Sequence, residues 1–224
     1  MELKVLSNIL KANEAIAVEN RQLFARENIL VLNVISSPGS GKTSILEKTI
    51  AHLLPECRLG VIEGDIQTSK DAERIHALGV PVVQINTQGG CHLDANMIKM
   101  ALPDLPLKEL ECLIIENVGN LVCPADYQLG EDMKIVVLSV TEGDDKPSKY
   151  PAIFHESQVL IINKMDLLPF TDFDLARAKE AALQINPHLL IFELSCKSGQ
   201  GVDSWASWLK SKIKRHRLGG NLGQ

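Results

Sequence analysis

The chain predicts an α/β fold: a P-loop NTPase domain with a mostly parallel sheet and helices on both faces, preceded by an N-terminal helix. Three observations predict it. Short apolar runs rich in branched residues alternate with amphipathic stretches, the pattern of strands buried on both faces and joined by helical crossovers. A glycine-rich turn, Ser36-Ser37-Pro38-Gly39-Ser40-Gly41-Lys42-Thr43, lies between the first such run and the first amphipathic stretch. A polar tetrad, Asn163-Lys164-Met165-Asp166, follows a later run in the same strand-to-turn setting.

The elements follow in order. From Glu2 to Arg26 apolar residues recur at helical spacing with no proline or glycine between them, which predicts a helical extension over residues 1–28. Residues 29–217 form the expected nucleotide domain. Ile29 to Ile35 is its first strand and Ser44 to Leu54 its first helix. Arg58 to Glu63, Val80 to Ile85, Cys112 to Glu116, Lys134 to Val140, Val159 to Ile162 and Leu189 to Phe192 read as further strands. Ser69 to Leu78, Leu93 to Leu102, Asp172 to Ile185 and Val202 to Lys214 read as helices. The basic cluster from Lys210 to Arg217 complements a helix C-terminus, and Leu218 to Gln224, with three glycines, is expected to be a flexible tail.

Composition narrows the function classes. The 224 residues are 45% hydrophobic and 23% charged with a net charge of -5, so no general basic excess suits a nucleic-acid partner. No apolar run is long enough to span a bilayer and no secretory leader is evident, so neither a membrane nor an export route is expected, and a cytoplasmic location is. Five cysteines, odd in number and dispersed, suit reduced thiols or metal ligands better than a disulfide framework.

The glycine-rich turn carries the first chemistry. Backbone N–H groups of a tight turn, backed by a helix N-terminus, receive anionic phosphates. Gly39 and Gly41 let the backbone approach, Lys42 supplies a charge for the outer phosphates, the Thr43 hydroxyl is a candidate Mg²⁺ ligand, and Ser40 and Ser44 are further candidates for nucleotide binding. Ser36 stands where the P-loop consensus has its first glycine. The tetrad then selects the base. A carboxylate at Asp166 accepts from both N1–H and the exocyclic amine of guanine, a pair that adenine does not offer. Asn163 holds the loop and approaches the base edge, and the Lys164 stem packs over its plane. Ser195-Cys196-Lys197 resembles the loop through which GTPases touch guanine with their backbone, with Cys196 in place of alanine as a packing residue. GTP and GDP are therefore the expected nucleotides.

Glu116-Asn117-Val118-Gly119 occupies the place of the Asp-x-x-Gly turn of GTPases. Gly119 can offer its N–H to a γ-phosphate and Glu116 can approach Mg²⁺. Asp65, at the end of Glu63-Gly64-Asp65, is a candidate for Mg²⁺ or the attacking water. The candidate catalytic set is thus Lys42, Asp65, Glu116 and Gly119, although either carboxylate could instead cap a neighbouring loop. Gly89-Gly90-Cys91-His92 before a helix, with Cys123 one short loop beyond the Glu116 turn, offers soft donors suited to Ni²⁺ or Zn²⁺. Spacing alone favours a buried thiol and a surface histidine.

Five segments in this order, Ser-Ser-Pro-Gly-Ser-Gly-Lys-Thr, Glu-Gly-Asp, Gly-Cys-His-Leu, Glu-Asn-Val-Gly-Asn-Leu-Val-Cys-Pro and Asn-Lys-Met-Asp, resemble the hydrogenase nickel-incorporation GTPase family HypB across almost the whole chain. The resemblance makes Ser36 an ordinary feature of that family's loop. It implies a GTP-dependent homodimer that helps deliver nickel to the [NiFe]-hydrogenase large subunit with a HypA-type metallochaperone. It also implies that Cys91, His92 and Cys123 are metal ligands for Ni²⁺ or Zn²⁺ near the dimer interface. The cysteine-rich or histidine-rich N-terminal stretch of some members has no counterpart before Asn33, so no second nickel store is expected. Rival readings are an ATP-dependent small-molecule kinase, a nickel-delivery GTPase for another enzyme such as urease, and a metal-binding scaffold with a vestigial nucleotide site.

Overall fold

The computed structural model describes residues 2–66 and 69–220. Seven strands form one sheet in the order β3-β2-β4-β1-β5-β6-β7, every neighbouring pair parallel. They are β1 (Leu30–Ser36), β2 (Leu59–Asp65), β3 (Val82–Asn86), β4 (Cys112–Glu116), β5 (Met133–Ser139), β6 (Val159–Asn163) and β7 (Leu190–Glu193). The four central strands β4, β1, β5 and β6 are almost wholly buried, which is why they read as continuous apolar runs.

The helices are α1 (Glu2–Glu27), α2 (Lys42–Leu53), α3 (Lys70–His76), α4 (Ala95–Ala101), α5 (Cys123–Asp126), α6 (Lys146–Lys149), α7 (Pro151–Glu156), α8 (Leu175–Ile185) and α9 (Val202–Gly220). On one side α2 and α9 bury Ile45, Leu46, Ile50, Trp205, Leu209 and Ile213 against the sheet. On the other, α7 and α8 cover β5 and β6 through Ile153, Phe154, Ala178 and Ala182, while α1 and α4 cover β1 and β4 through Phe24 and Ile98. Among the described residues no helix is long and apolar enough to cross a membrane.

One expected boundary shifts at the C-terminal end. Helix α9 runs past Arg217 to Gly220, three residues into the expected tail, and the remainder of that tail, residues 221–224, lies outside the described residues. The basic cluster on α9 is engaged within the fold: Lys210 and Lys214 pair with Glu56, and Arg217 pairs with Glu111. The extension α1 is docked closely. Gly130, at φ +102°, sits so near that a Cβ there would lie 2.9 Å from the Ala17 carbonyl, and the Asn13 and Asn20 side chains bond to the backbone of the segment 128–129.

Candidate functional site

Parallel strands end together, so the side chains that follow them share one rim. Ser36, Asp65, Glu116, Ser139 and Asn163 are the last residues of β1, β2, β4, β5 and β6. The phosphate turn leaves β1 on this rim. Gly39 and Gly41 take left-handed conformations at φ +78° and +94°, and a Cβ on Gly41 would come within 2.5 Å of Asn163 Nδ2. Glycine at 41 is thus required by both the backbone angle and the approach of the base-side loop. Asn163 Nδ2 donates to the Ser40 carbonyl at 2.9 Å and Lys164 Nζ to the Gly39 carbonyl at 2.8 Å, tying the two predicted nucleotide segments together. Asn163, Lys164, Asp166, Cys196 and Lys197 line, with Gly41 and Ser44, a cavity of about 430 Å³. Its volume lies within the range of small-molecule sites.

At the base end, Ser195 donates its hydroxyl to Asp166 Oδ1 at 2.6 Å and accepts from the Ser198 N–H at 3.1 Å. One carboxylate oxygen is thereby fixed and the other remains for a ligand. The Cys196 thiol lies 3.6 Å from Asn163 Oδ1, and burial pushes it up to about 11, so it packs as a neutral thiol.

At the phosphate end Lys42 Nζ donates to Ser36 Oγ at 3.0 Å, so the residue that departs from the consensus glycine holds the lysine. Ser40 Oγ lies 2.8 Å from the Ser37 carbonyl and 2.5 Å from Glu142 Oε1, two acceptors that share its one proton. Thr43 Oγ1 donates to Glu116 Oε1 at 2.8 Å. Gly119 lies directly on the turn: a Cβ there would come within 2.9 Å of Pro38 N.

The acidic wall is larger than the sequence suggested. Glu63 pairs in register with Glu116 across β2 and β4, and both are buried. Each keeps one oxygen, Oε2, without a hydrogen-bond partner. Burial pushes Glu63 up to about 8, with the Glu116 and Asp65 charges adding to the effect. Burial likewise pushes Glu116 up to about 7, against the pull of Lys42 and the Thr43 hydrogen bond. Carboxyl oxygens of Glu63, Asp65 and Asp71 lie within 4.8 Å of one another. Orphaned buried carboxylate oxygens beside a threonine hydroxyl fit a hard divalent cation such as Mg²⁺, which takes oxygen ligands and would satisfy them.

The second cluster is on the neighbouring loops. Cys91 Sγ lies 3.5 Å from Cys123 Sγ and 3.5 Å from His92 Nδ1. Two sulfurs sharing a tetrahedral ion at about 2.3 Å each would be about 3.8 Å apart, so the donors fit a single soft or borderline ion. Burial lowers the His92 pKa, favouring the neutral ring that a metal requires, and the Tyr127 ring packs against it at 4.0 Å. The thiol–thiol contact holds Cys91 above its ordinary value. Cys91 and His92 precede a helix as the sequence predicts, α4 beginning at Ala95 with Asp94 as its N-cap, accepting from Met97 N–H at 2.7 Å. It is Cys123 that opens a helix, the short α5.

Three groups escaped the sequence reading: Glu63, Glu142 and Asn117. Asn117 Oδ1 accepts from the Leu93 and Val118 N–H groups, so the Glu116 to Gly119 turn is bonded to the residue that follows His92. The signal available was polarity itself, since a polar side chain at the end of a buried strand must find partners.

Comparison with known proteins gives one consistent result. The family model CobW/HypB/UreG, nucleotide-binding domain, matches residues 30–193. Hydrogenase maturation factor HypB of Escherichia coli (strain K12) is 50% identical over 210 residues, covering 94% of this chain and 72% of that protein. The hydrogenase/urease maturation factor HypB of Helicobacter pylori (strain J99) is 40% identical over 219 residues, covering 96% of this chain and 90% of that one. A crystal structure of HypB from Helicobacter pylori in complex with nickel superposes with a TM-score of 0.87 at 40% identity, covering 92% and 97% of the two chains.

Proposed function

The chain belongs to the hydrogenase maturation factor HypB family, and from that membership we propose that it is a GTP-hydrolysing metallochaperone that assists nickel insertion into a [NiFe]-hydrogenase. One observation carries the reading: the connection from Glu116 to Cys123 begins at the Thr43 hydroxyl of the glycine-rich turn and ends in the Cys91–His92–Cys123 cluster. A change in the turn that faces the phosphates therefore reaches a metal ligand without leaving that connection.

In this reading Lys42 exchanges the Ser36 hydroxyl for a phosphate oxygen and Gly119 offers its N–H to the γ-phosphate. Thr43 and Glu116, with Asp65, are the residues that would hold Mg²⁺, which neutralises phosphate charge when bound. Asp166 reads the guanine edge with the oxygen that Ser195 leaves open. Cys91, His92 and Cys123 hold Ni²⁺ or Zn²⁺. The assembly is a homodimer promoted by GTP or metal, acting in the cytoplasm with a HypA-type metallochaperone on the hydrogenase large subunit.

Competition between GDP and ADP tests the nucleotide half. GDP should win by at least tenfold, and Asp166→Asn should move the preference towards xanthosine diphosphate, whose carbonyl accepts the new amide donor. Equal binding of ADP and GDP would refute it. Hydrogenase nickel content in cells carrying only Cys123→Ala tests the metal half, where undiminished content is the refuting result. The double name of the Helicobacter pylori relative supports a second client, urease, and nickel assays of both enzymes in one strain separate the two.

A further inference from the structure

Four buried polar side chains, Asn33 on β1, Asn117 just after β4, Glu131 just before β5 and Lys134 on β5, link the two halves of the Cys–His–Cys cluster. The Leu93 N–H, next after His92, donates to Asn117 Oδ1 at 3.1 Å. Asn117 Nδ2 donates to Asn33 Oδ1 at 3.1 Å, and Asn33 Nδ2 donates to Glu131 Oε1 at 3.1 Å. Glu131 accepts the Leu129 N–H through Oε2 at 2.6 Å and lies 3.9 Å from Lys134 Nζ. Lys134 closes the path by donating to the Pro124 and Ala125 carbonyls at 3.2 and 2.8 Å, the two residues that follow Cys123. Asn33, Asn117, Glu131 and Lys134 are each at most 5% exposed.

We propose that Asn33, Asn117, Glu131 and Lys134 form a buried relay that sets the Cys91–His92 loop against the Cys123 helix and carries the placement of the phosphate-facing turn to the metal ligands. The proposal rests on the reading of Cys91, His92 and Cys123 as a metal site.

The connectivity is directional. Each asparagine donates through its amide nitrogen and accepts through its oxygen, so neither can turn over without facing donor to donor or acceptor to acceptor. A fully satisfied buried network of this kind has few alternative arrangements, because a broken link leaves an unpaired polar group away from water. At the surface Asn120 Nδ2 donates to the Cys91 carbonyl at 3.2 Å and the Tyr127 ring packs on His92. Asn117 belongs to the turn that contains Glu116 and Gly119. A shift of that turn displaces the acceptor of the Leu93 N–H and the donor to Asn33 together, so both metal loops are moved by one event. These four are positioning residues; none is among the residues assigned above to nucleotide or metal.

The test uses the full chain loaded with GDP or a non-hydrolysable GTP analogue and titrated with Ni²⁺ alone, reading the nickel–thiolate absorption band and the Ni²⁺ affinity. In wild type the two nucleotides should give affinities that differ by about fivefold or more, within the usual range of allosteric coupling. Lys134→Met and Asn33→Leu should still bind Ni²⁺, with an altered band and a nucleotide effect reduced below about twofold. Folded variants with the wild-type band and the wild-type nucleotide effect would overturn the relay. In wild type itself, hydrogen exchange over residues 129–134 should change when Ni²⁺ is added; unchanged exchange there would overturn it without recourse to any variant. Absence of the band in wild type, or wild-type Ni²⁺ binding by Cys91→Ser and Cys123→Ser, would instead remove the metal-site reading and the relay with it.

Discussion

Replacing Glu63 by glutamine should flatten the dependence of stability on pH. Folded Glu63 titrates at about 8 because burial penalises its charged form and Glu116 stands beside it, whereas its ordinary value is 4.5. Between these values the native state holds a proton that the unfolded chain has released. Stability therefore falls as pH rises, by about 1.4 kcal/mol per pH unit for one such proton. The contribution is complete below about pH 4.5, where both states are protonated, and lost above about pH 8, where both are ionised. From pH 5 to 7 the wild type should lose roughly 2.5 kcal/mol relative to Glu63→Gln, which keeps the side chain's shape without the titration. His92, with its lowered pKa, contributes the opposite slope, but it is present in both proteins and cancels in the difference. Urea unfolding of metal-free and nucleotide-free protein at pH 5, 6 and 7 measures that difference. Parallel curves for wild type and variant, with a gap constant to about 0.5 kcal/mol, would refute the assignment of a buried protonated carboxyl to this wall.

Gly119→Ala should weaken nucleotide binding by tenfold or more, because its Cβ would meet the Pro38 backbone at 2.9 Å, and isothermal titration with GDP reads the loss. The same overlap should cost about 1–3 kcal/mol in unfolding free energy. Leu209→Ala, at a fully buried site between α9 and α2, should cost about 2–5 kcal/mol by denaturant unfolding. Trp205→Phe removes the donor to Thr49 Oγ1 at 2.8 Å and should cost about 1 kcal/mol, with GDP affinity unchanged.

Much of the frame was legible in the sequence because burial on both faces leaves continuous apolar runs, and all seven strands lie where such runs stand. The two segments expected to hold a nucleotide stood out for a related reason: polar residues at the ends of buried strands need partners, and Asn163 does reach the Ser40 carbonyl. The short helices α5, α6 and α7 were missed. Each has a proline in its first turn and at most six residues, too few to display a period. Lys134 and Asn33 were read only as members of strands, since periodicity records which residues are polar and not which of them are buried in pairs. The Cys–His–Cys cluster stood between these cases. Its donors were visible, but their closeness depends on loops from β3 and β4, and no local spacing encodes that meeting.

The docking of α1 sets a timetable for synthesis. Asn20 donates to the Ala95 carbonyl and to the Leu129 carbonyl, the latter 109 residues downstream. At about 5–20 residues per second a ribosome needs roughly 5–20 s to make that interval. Helix α1 therefore emerges long before its seat exists, with Ala17 and Phe24, both buried in the finished fold, still uncovered. Strand β4 can pair with β1 before this wait ends, whereas β5, the other neighbour of β1, is made only after residue 129. The helix is then the first element translated among those described and one of the last to settle, and a nascent chain stalled before residue 129 would carry it as an adhesive apolar face.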